Sequence, residues 1–269
     1  MSSTARTSGV DILDRIVRET RARLEATPVD LDALAARAAA TPPAPDGLAS
    51  LSAPGVRLIA EVKRRSPSAG DIQAGADPVA QATAYAAGGA AAISVLTEPA
   101  HFGGALSDLE AVASAVAAPC LRKDFIVSRR QLLEARAAGA SLVLLIAAVL
   151  EDGELRALRE ASEALGMHAL VEAHDAEEVD RAVASGARIV GVNNRDLRTF
   201  EIDLATCERL RSRIPSGLVA VAESGVHTPD DVSRLRASGY DVFLVGTALM
   251  KAADPRAALA ALIAAEASA

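Results

Sequence analysis

Charged residues recur where the predicted strands of this chain end. The first strand carries Glu61 and Lys63 two residues apart, so both side chains lie on the same face of that strand. Lys123 ends a second apolar run, and Glu172 and Glu223 end two further runs. Carboxylates and ammonium groups in one cavity shift each other's pKa values, as acid–base chemistry on an anionic substrate requires. We predict these five residues to be catalytic. Charges that merely begin solvated loops are the alternative.

Two glycine-containing turns fit a phosphate group. Ser224 and Gly225 follow one late strand, and Gly246 and Thr247 follow the last. In α/β barrels, the loops after the seventh and eighth strands commonly bind phosphate through backbone N–H groups. Ser66 belongs to a basic, hydroxyl-rich segment directly after the first strand. The sequence therefore predicts a phosphorylated small-molecule substrate, with two tight turns without a ligand as the alternative.

An internal repeat predicts the fold. Gly89, Gly139, Gly186 and Gly239 each separate a helical stretch from an apolar run, at intervals of about 50 residues. Such an interval accommodates two strand–helix units. The intermediate strands are predicted at Cys120–Lys123, Ala169–Glu172 and Leu218–Glu223, and an earlier one at Leu58–Lys63. Eight strands alternating with helices indicate a (β/α)8 TIM barrel of the α/β class.

The apolar periodicity also places the helices of this barrel. They are predicted at Pro78–Ala87, Leu106–Val116, Ser128–Ala138, Asp152–Leu165, Ala176–Ser185, Leu204–Arg213, Pro229–Ala237 and Pro255–Ala265.

Residues 1–56 precede the repeat and are predicted to form a helical extension and linker. Ser8 is a candidate N-cap for a helix that ends near Ala26, and Leu31–Ala39 forms a second helix. The proline-rich segment Thr41–Gly55 is predicted to lack regular structure. Two helices cannot bury a second core, so residues 1–269 are expected to form one domain.

The composition excludes several classes of partner. A net charge of −7 repels nucleic acid, and an aromatic content of 2% leaves little surface for base stacking. The longest apolar run is shorter than the roughly 20 residues of a membrane span, and no secretory signal is recognisable. We therefore expect a cytoplasmic protein that binds neither nucleic acid nor membrane. Cys120 and Cys207 lack metal-site or disulfide spacing and are predicted to be core residues.

Taken together, the motifs at the strand ends resemble the indole-3-glycerol-phosphate synthase family of tryptophan biosynthesis. The motifs are Ile59–Ser68, Leu121–Phe125, Leu170–Glu172, Gly191–Leu197, Ala222–Gly225 and Val245–Met250, and the N-terminal Ile12–Val17 is also similar. The resemblance implies a carboxy-lyase that converts 1-(2-carboxyphenylamino)-1-deoxyribulose 5-phosphate to indole-3-glycerol phosphate without a cofactor or metal.

The resemblance also implies a role for each site residue. Lys123 would be the general acid that protonates the ribulose carbonyl oxygen during ring closure. Lys63 would hold the substrate carboxylate and Glu172 would act in removing the hydroxyl, although the sequence does not decide which of these two completes the dehydration. Glu61 and Glu223 would orient the lysines and the substrate hydroxyls.

The remaining candidates would bind the substrate. Asn193 and Arg195 would position the anthranilate part. The apolar wall beside its ring would come from Phe102, Phe125, Leu144 and Leu197, each of which could instead be ordinary core. The phosphate would lie on Ser66, Ser224, Gly225, Gly246 and Thr247. We further predict that the long polar connection from Arg64 to about Ala76 is a lid.

Two other functions were weighed against this one. The related phosphoribosylanthranilate isomerase resembles a shorter barrel with a cysteine base where this chain has Glu61 and Lys63. A catalytically silent phosphate-binding barrel needs the glycine turns but not the paired lysines and carboxylates. We expect a monomer or weak homo-oligomer that can contact other enzymes of the tryptophan pathway.

Overall fold

The computed structural model describes residues 9–196 and 199–265. Within these ranges, eight parallel strands form a closed barrel, in which β1 pairs with both β2 and β8. The strands are β1 (Arg57–Val62), β2 (Ala92–Leu96), β3 (Cys120–Lys123), β4 (Leu142–Ile146), β5 (His168–Ala173), β6 (Ile189–Asn193), β7 (Val219–Glu223) and β8 (Val242–Val245). The predicted (β/α)8 barrel is confirmed.

Helices surround this barrel and precede it. They are α1 (Gly9–Ala26), α2 (Leu31–Ala40), α3 (Gly47–Leu51), α4 (Pro78–Ala87), α5 (Pro99–Phe102), α6 (Leu106–Ala115), α7 (Arg129–Ala137), α8 (Asp152–Ala164), α9 (Ala176–Ala184), α10 (Ala205–Leu210), α11 (Pro229–Ala237), α12 (Thr247–Met250) and α13 (Pro255–Ile263). Each predicted barrel helix is present, and three begin at the predicted prolines. Asp77 and Thr228 are the N-caps of two of these helices, because their side-chain oxygens accept backbone N–H groups of the first turn.

The four repeat glycines have the backbone conformation that their position predicts. Gly89, Gly139, Gly186 and Gly239 have φ angles of 94°, 85°, 87° and 95°. A residue with a side chain rarely adopts this left-handed conformation, so glycine ends the helix and turns the chain into the next strand.

Two local predictions were wrong. The proline-rich segment is not wholly irregular, because α3 forms within it. The Asp46 carboxylate accepts a hydrogen bond from the Ala49 N–H, and Leu48 and Leu51 join the cluster inside the barrel. Buried leucines that close the barrel's N-terminal end stabilise this short helix despite the flanking prolines. The helix predicted over Leu204–Arg213 is shorter than expected: α10 ends at Leu210, and a 3-10 turn follows over Arg211–Arg213.

Other predictions have mixed outcomes. Cys120 and Cys207 are free and buried, as predicted. Among the described helices, none combines the length and apolar character that a membrane crossing requires. The proposed cap Ser8 lies outside the described residues.

The strand alternation places the charged residues above an apolar barrel interior. Ile59, Leu121, Leu170 and Val221 belong to the inner cluster, one from each odd-numbered strand. Each lies two residues before a charged residue of the same strand, on the same face. The four charged residues thereby form one layer at the C-terminal mouth: Glu61, Lys123, Glu172 and Glu223.

Candidate active site

A cavity of about 180 Å³ opens at the C-terminal mouth of the barrel. It contains every candidate site residue that the structure describes. The residues predicted to be catalytic are Glu61, Lys63, Lys123, Glu172 and Glu223. Those predicted to bind the organic part are Asn193, Arg195, Phe102, Phe125 and Leu144, and those predicted to bind phosphate are Ser66, Ser224, Gly225, Gly246 and Thr247. Leu197 lies outside the described residues.

Lys123 is the centre of the charged layer. Its Nζ donates a hydrogen bond to Glu172 Oε2 at 3.0 Å and lies 3.6 Å from Glu223 Oε2. Burial lowers the pKa of the Lys123 ammonium, but the carboxylates of Glu172, Glu223 and Glu61 outweigh it and raise the pKa above its usual range. Lys123 is therefore protonated at neutral pH. It carries a proton where the cavity meets the barrel interior.

The carboxyl groups of Glu172 and Glu223, which both neighbour Lys123, differ in their pKa values. Burial raises the pKa of Glu223, and the negative charge of Glu172 raises it further. Burial also penalises the charge of Glu172, but the Lys123 ammonium and His174 outweigh it and hold the pKa of Glu172 well below its usual range. The pair therefore favours a negative charge on Glu172 and the shared proton on Glu223.

A second ion pair occupies the edge of the same layer. Lys63 Nζ lies 2.5 Å from Glu61 Oε1, and the Lys63 side chain is 17% exposed. Both side chains line the cavity, and Lys63 is the more exposed member of the pair. The short link orients an ammonium group towards an incoming anion.

Two glycines leave room for buried carboxylates: Gly191 in β6 for Glu223, and Gly246 directly after β8 for Glu61. A Cβ atom at Gly191 would lie 2.1 Å from Glu223 Oε1, and one at Gly246 would lie 2.5 Å from Glu61 Oε1. Neither glycine has a positive φ angle, so the reason for glycine here is space. The sequence pattern had assigned Gly246 to phosphate binding and had given no role to Gly191.

We therefore expect Gly191→Ala to displace Glu223. Overpacking of this kind costs about 1–3 kcal/mol of unfolding free energy, and a misplacement of about 1 Å at the reacting groups reduces kcat by up to 10²-fold. Chemical denaturation and steady-state turnover measure the two effects. Gly153→Ala is the control, because a Cβ there meets nothing within 4 Å. Unchanged stability and turnover in Gly191→Ala would contradict the steric argument.

The turn after β7 has an unusual backbone. Ser224 has a φ angle of 64° and is followed by Gly225 at 86°. Such a conformation costs about 1–3 kcal/mol for a residue with a side chain, so its surroundings must hold it. The buried Asn194 donates from Nδ2 to the Ser224 carbonyl at 3.0 Å and accepts the Cys207 N–H at Oδ1. Asn194 thus braces the predicted phosphate turn, a role that the sequence alone did not reveal.

The aromatic wall is preformed. The rings of Phe102 and Phe125 pack with their centroids 6.0 Å apart. Asp124, whose Oδ2 accepts hydrogen bonds from Thr97 and Arg122, also accepts the Phe125 N–H at Oδ1. A buried polar network therefore fixes the chain directly after Lys123.

Arg195 lines the cavity two residues after the end of β6. Its N–H donates to Asn193 Oδ1 at 3.0 Å, and its guanidinium donates to the Phe200 carbonyl at 3.1 Å. Burial lowers the pKa of Arg195, and Glu61 opposes this shift.

The N-terminal extension supplies part of the site. Ile12, Leu13 and Ile16 of α1 line the cavity. His101 Nε2 lies 2.7 Å from Glu19 Oε2 of α1, which ties α1 to the segment after β2. The apolar stripe of α1 was visible in the sequence, but its place at the mouth was not.

The long connection after β1 contains a small hairpin. Residues Arg65–Ser66 pair antiparallel with Gly70–Asp71. At its base, the Arg64 guanidinium makes a bidentate ion pair with Asp108 at 2.6 and 3.1 Å. The connection therefore has an anchored base and an exposed tip.

This chain is similar to known enzymes over almost its whole length. A family model described as indole-3-glycerol phosphate synthase matches residues 13–262. The indole-3-glycerol phosphate synthase of Streptomyces griseus subsp. griseus is 52% identical over 258 residues, covering 95% of this chain and 96% of that protein. The protein of the same name from Mycobacterium avium is 48% identical over 258 residues, covering 95% of each.

Solved structures support the fold. A 3-hexulose-6-phosphate synthase has a TM-score of 0.62 at 21% identity and covers 78% of this chain and 99% of its own. A thiamine phosphate pyrophosphorylase from Pyrococcus furiosus has a TM-score of 0.59 at 18% identity, with 79% of this chain and 95% of its own covered. At these identities the likeness shows the barrel alone.

Proposed function

The chain belongs to the indole-3-glycerol phosphate synthase family and is a carboxy-lyase of tryptophan biosynthesis, and on that premise we propose how its residues divide the reaction. The enzyme closes a ring in 1-(2-carboxyphenylamino)-1-deoxyribulose 5-phosphate and releases carbon dioxide and water. This family membership favours a synthase over the two alternatives weighed from the sequence, a phosphoribosylanthranilate isomerase and a catalytically silent phosphate-binding barrel. The observation that carries the division of roles is the Lys123 ammonium, held between Glu172 and Glu223 at the cavity floor.

The first step is ring closure. The aromatic carbon that bears the carboxylate attacks the ribulose carbonyl carbon, and Lys123 gives its proton to the carbonyl oxygen. A new carbon–carbon bond forms, and the oxygen becomes a hydroxyl group. Loss of carbon dioxide then returns the electron pair of the carbon–carboxylate bond to the aromatic ring. Lys63 holds the carboxylate until it leaves.

The second step is dehydration. The ionised Glu172 takes a proton from the ring carbon next to nitrogen, while the hydroxyl takes a proton from Lys63 and leaves as water. Lys63 is available for this proton transfer because decarboxylation has removed the substrate carboxylate that it held. Glu61 orients Lys63 through the 2.5 Å contact, and Glu223 orients Lys123 and a substrate hydroxyl.

The rest of the cavity positions the substrate. Backbone N–H groups in the turns after β7 and β8 hold the phosphate, with the hydroxyls of Ser66, Ser224 and Thr247. Asn193 and Arg195 orient the anthranilate part, and Phe102, Phe125 and Leu144 form the wall beside its ring, to which Leu197 is also assigned.

Further assignments follow from the same proposal. The described residues that line the cavity come from the barrel and from α1, which supports a single domain over residues 1–269. We propose that it works as a monomer or weak homo-oligomer. We place it in the cytoplasm, where it can contact other enzymes of the tryptophan pathway.

Turnover of the synthetic substrate tests the function. Indole absorbance should appear at an equal rate before and after exhaustive chelation, because lysine and glutamate suffice for each proton transfer. Inactivation by the chelator, with recovery on adding a divalent metal, would overturn this mechanism.

The hairpin after β1 is proposed to close over bound substrate. Binding of indole-3-glycerol phosphate should slow hydrogen exchange in residues 66–71, because Ser66 lies in the cavity and the tip is exposed. Exchange in the outer helix α8 is the internal control. Identical exchange in residues 66–71 with and without saturating product would remove the support for a lid.

A further inference from the structure

A histidine that the proposed mechanism does not use lies directly behind Glu172. His174 follows Glu172 by two residues at the end of β5, and its side chain is 11% exposed. Its Nε2 lies 3.4 Å from Glu172 Oε1 and makes no regular hydrogen bond. Its Nδ1 lies 3.0 Å from Glu178 Oε2. The imidazole therefore connects two carboxylates.

The far end of this connection is built into a helix start. Glu178 lies in the first turn of α9, and its Oε2 also accepts the His174 backbone N–H at 2.8 Å. The Glu178 N–H donates in turn to the capping residue Asp175 at 2.9 Å. These hydrogen bonds fix the imidazole relative to α9, so the position of Glu172 depends on a rigid element outside the barrel.

Charge reinforces this geometry. Burial lowers the pKa of His174, but the neighbouring carboxylates of Glu172 on β5 and Glu178 on α9 outweigh it and raise the pKa to about 10. The imidazole is therefore a cation at neutral pH. Glu172 in turn faces Lys123 of β3 and Glu223 of β7. Its Oε2 contacts the ammonium and its Oε1 faces the imidazolium.

We propose that His174 and Glu178 are positioning residues that hold the Glu172 carboxylate ionised and oriented with Oε2 on Lys123. Neither side chain lines the cavity, so neither touches the substrate. This inference rests on the proposed role of Glu172 as the base of the dehydration step. A purely structural role does not require a charge here, since a well-packed neutral side chain avoids the cost of burying an ion.

The test compares His174→Gln and Glu178→Gln with Glu177→Gln. Glu177 lies in the same helical turn as Glu178 but is exposed, so its substitution removes the same charge without touching His174. We expect kcat to fall about 10- to 10²-fold in both test variants, because a misplaced base reacts slowly. KM should change little, since the phosphate and the anthranilate are bound elsewhere. Glu177→Gln should match the parent enzyme.

The pH profile separates positioning from folding. Loss of an adjacent cation makes the ionised carboxylate less favourable, so the pKa of Glu172 rises. The acid limb of kcat in His174→Gln should therefore move to higher pH by about 1 unit. When His174→Gln and Glu178→Gln are combined in one enzyme, kcat should fall no further than in His174→Gln alone, because Glu178 acts through the imidazole. Thermal unfolding identifies any variant that fails to fold, and Glu178→Gln, which leaves the imidazole in place, then carries the test.

The outcomes distinguish this inference from the proposed function. A folded His174→Gln enzyme with parental kcat and acid limb overturns the positioning role, as does an equal loss in Glu177→Gln. If Glu172→Gln itself remains active, the assignment of the base is wrong. If Glu172→Gln is inactive while His174→Gln is normal, only the present inference is wrong.

Discussion

Lys123→Arg is expected to lose about 10²- to 10⁴-fold in the rate of ring closure, the range that a positioned proton donor contributes. Arginine preserves the positive charge, but its planar guanidinium is effectively always charged and does not place a proton at the position of the lysine ammonium. Lys123 is protonated because nearby carboxylates outweigh its burial, so the proton is present before the substrate arrives. Single-turnover ring closure and equilibrium binding should be measured separately for this variant.

Lys123→Ala and Lys251→Arg complete that experiment. The alanine variant removes both charge and proton and should lose at least as much activity as Lys123→Arg. Lys251 is exposed and lies outside the cavity, so its replacement by arginine should have no effect. A near-normal rate of ring closure in Lys123→Arg would contradict the assignment of Lys123 as the general acid. A loss confined to binding would make Lys123 an anion anchor instead.

Glu172→Gln is expected to stop the reaction after carbon dioxide has been released. Glutamine cannot accept the proton of the dehydration step, so indole formation should fall about 10²- to 10⁴-fold. Ring closure should suffer less, because Lys123 still faces Glu223 at 3.6 Å. Carbon dioxide release and indole absorbance, followed in the same single turnover, should therefore separate in time.

Glu223→Gln is the matched comparison for that prediction. Both carboxyl groups are buried against Lys123, but the pKa of Glu223 is raised by burial and by the charge of Glu172. Its protonated form resembles glutamine in shape and keeps a hydrogen-bond donor. We therefore expect a far smaller loss in Glu223→Gln. If Glu172→Gln and Glu223→Gln lost equal activity, and indole and carbon dioxide appeared together, the assignment of different pKa values to the two carboxyl groups would be contradicted.

Part of the site was predictable because its signals are local. Alternation along a strand places Glu61 and Lys63 on one face, and the parallel strands of a barrel bring their C-terminal ends to one mouth. Glycine after a helix and proline at a helix start are properties of single residues and their neighbours. These local rules identified the strands, most helix starts and the charged residues at the strand ends, whereas the residues that would bind the anthranilate part came from the family resemblance.

Other features depend on residues that meet only in the folded chain. The α3 segment looked irregular because its prolines are local, whereas the burial of Leu48 and Leu51 inside the barrel is not. The α1 stripe could have packed anywhere along the barrel. Its position at the cavity, with Ile12 and Ile16 in the wall, depends on where the whole domain leaves apolar surface uncovered.

By itself, the sequence determined that this protein is a barrel with lysines and carboxylates at one end, because periodicity and turn chemistry act over a few residues. Only the tertiary structure decided which groups pair, since Lys123 lies 49 residues from Glu172 in the chain and 3.0 Å from it in space. It also decided that Glu172 is the more acidic of the two buried carboxyl groups and Glu223 the less acidic, and that His174 lies behind Glu172. Proton allocation depends on burial and on distances between strands, and neither is encoded in any local stretch of residues.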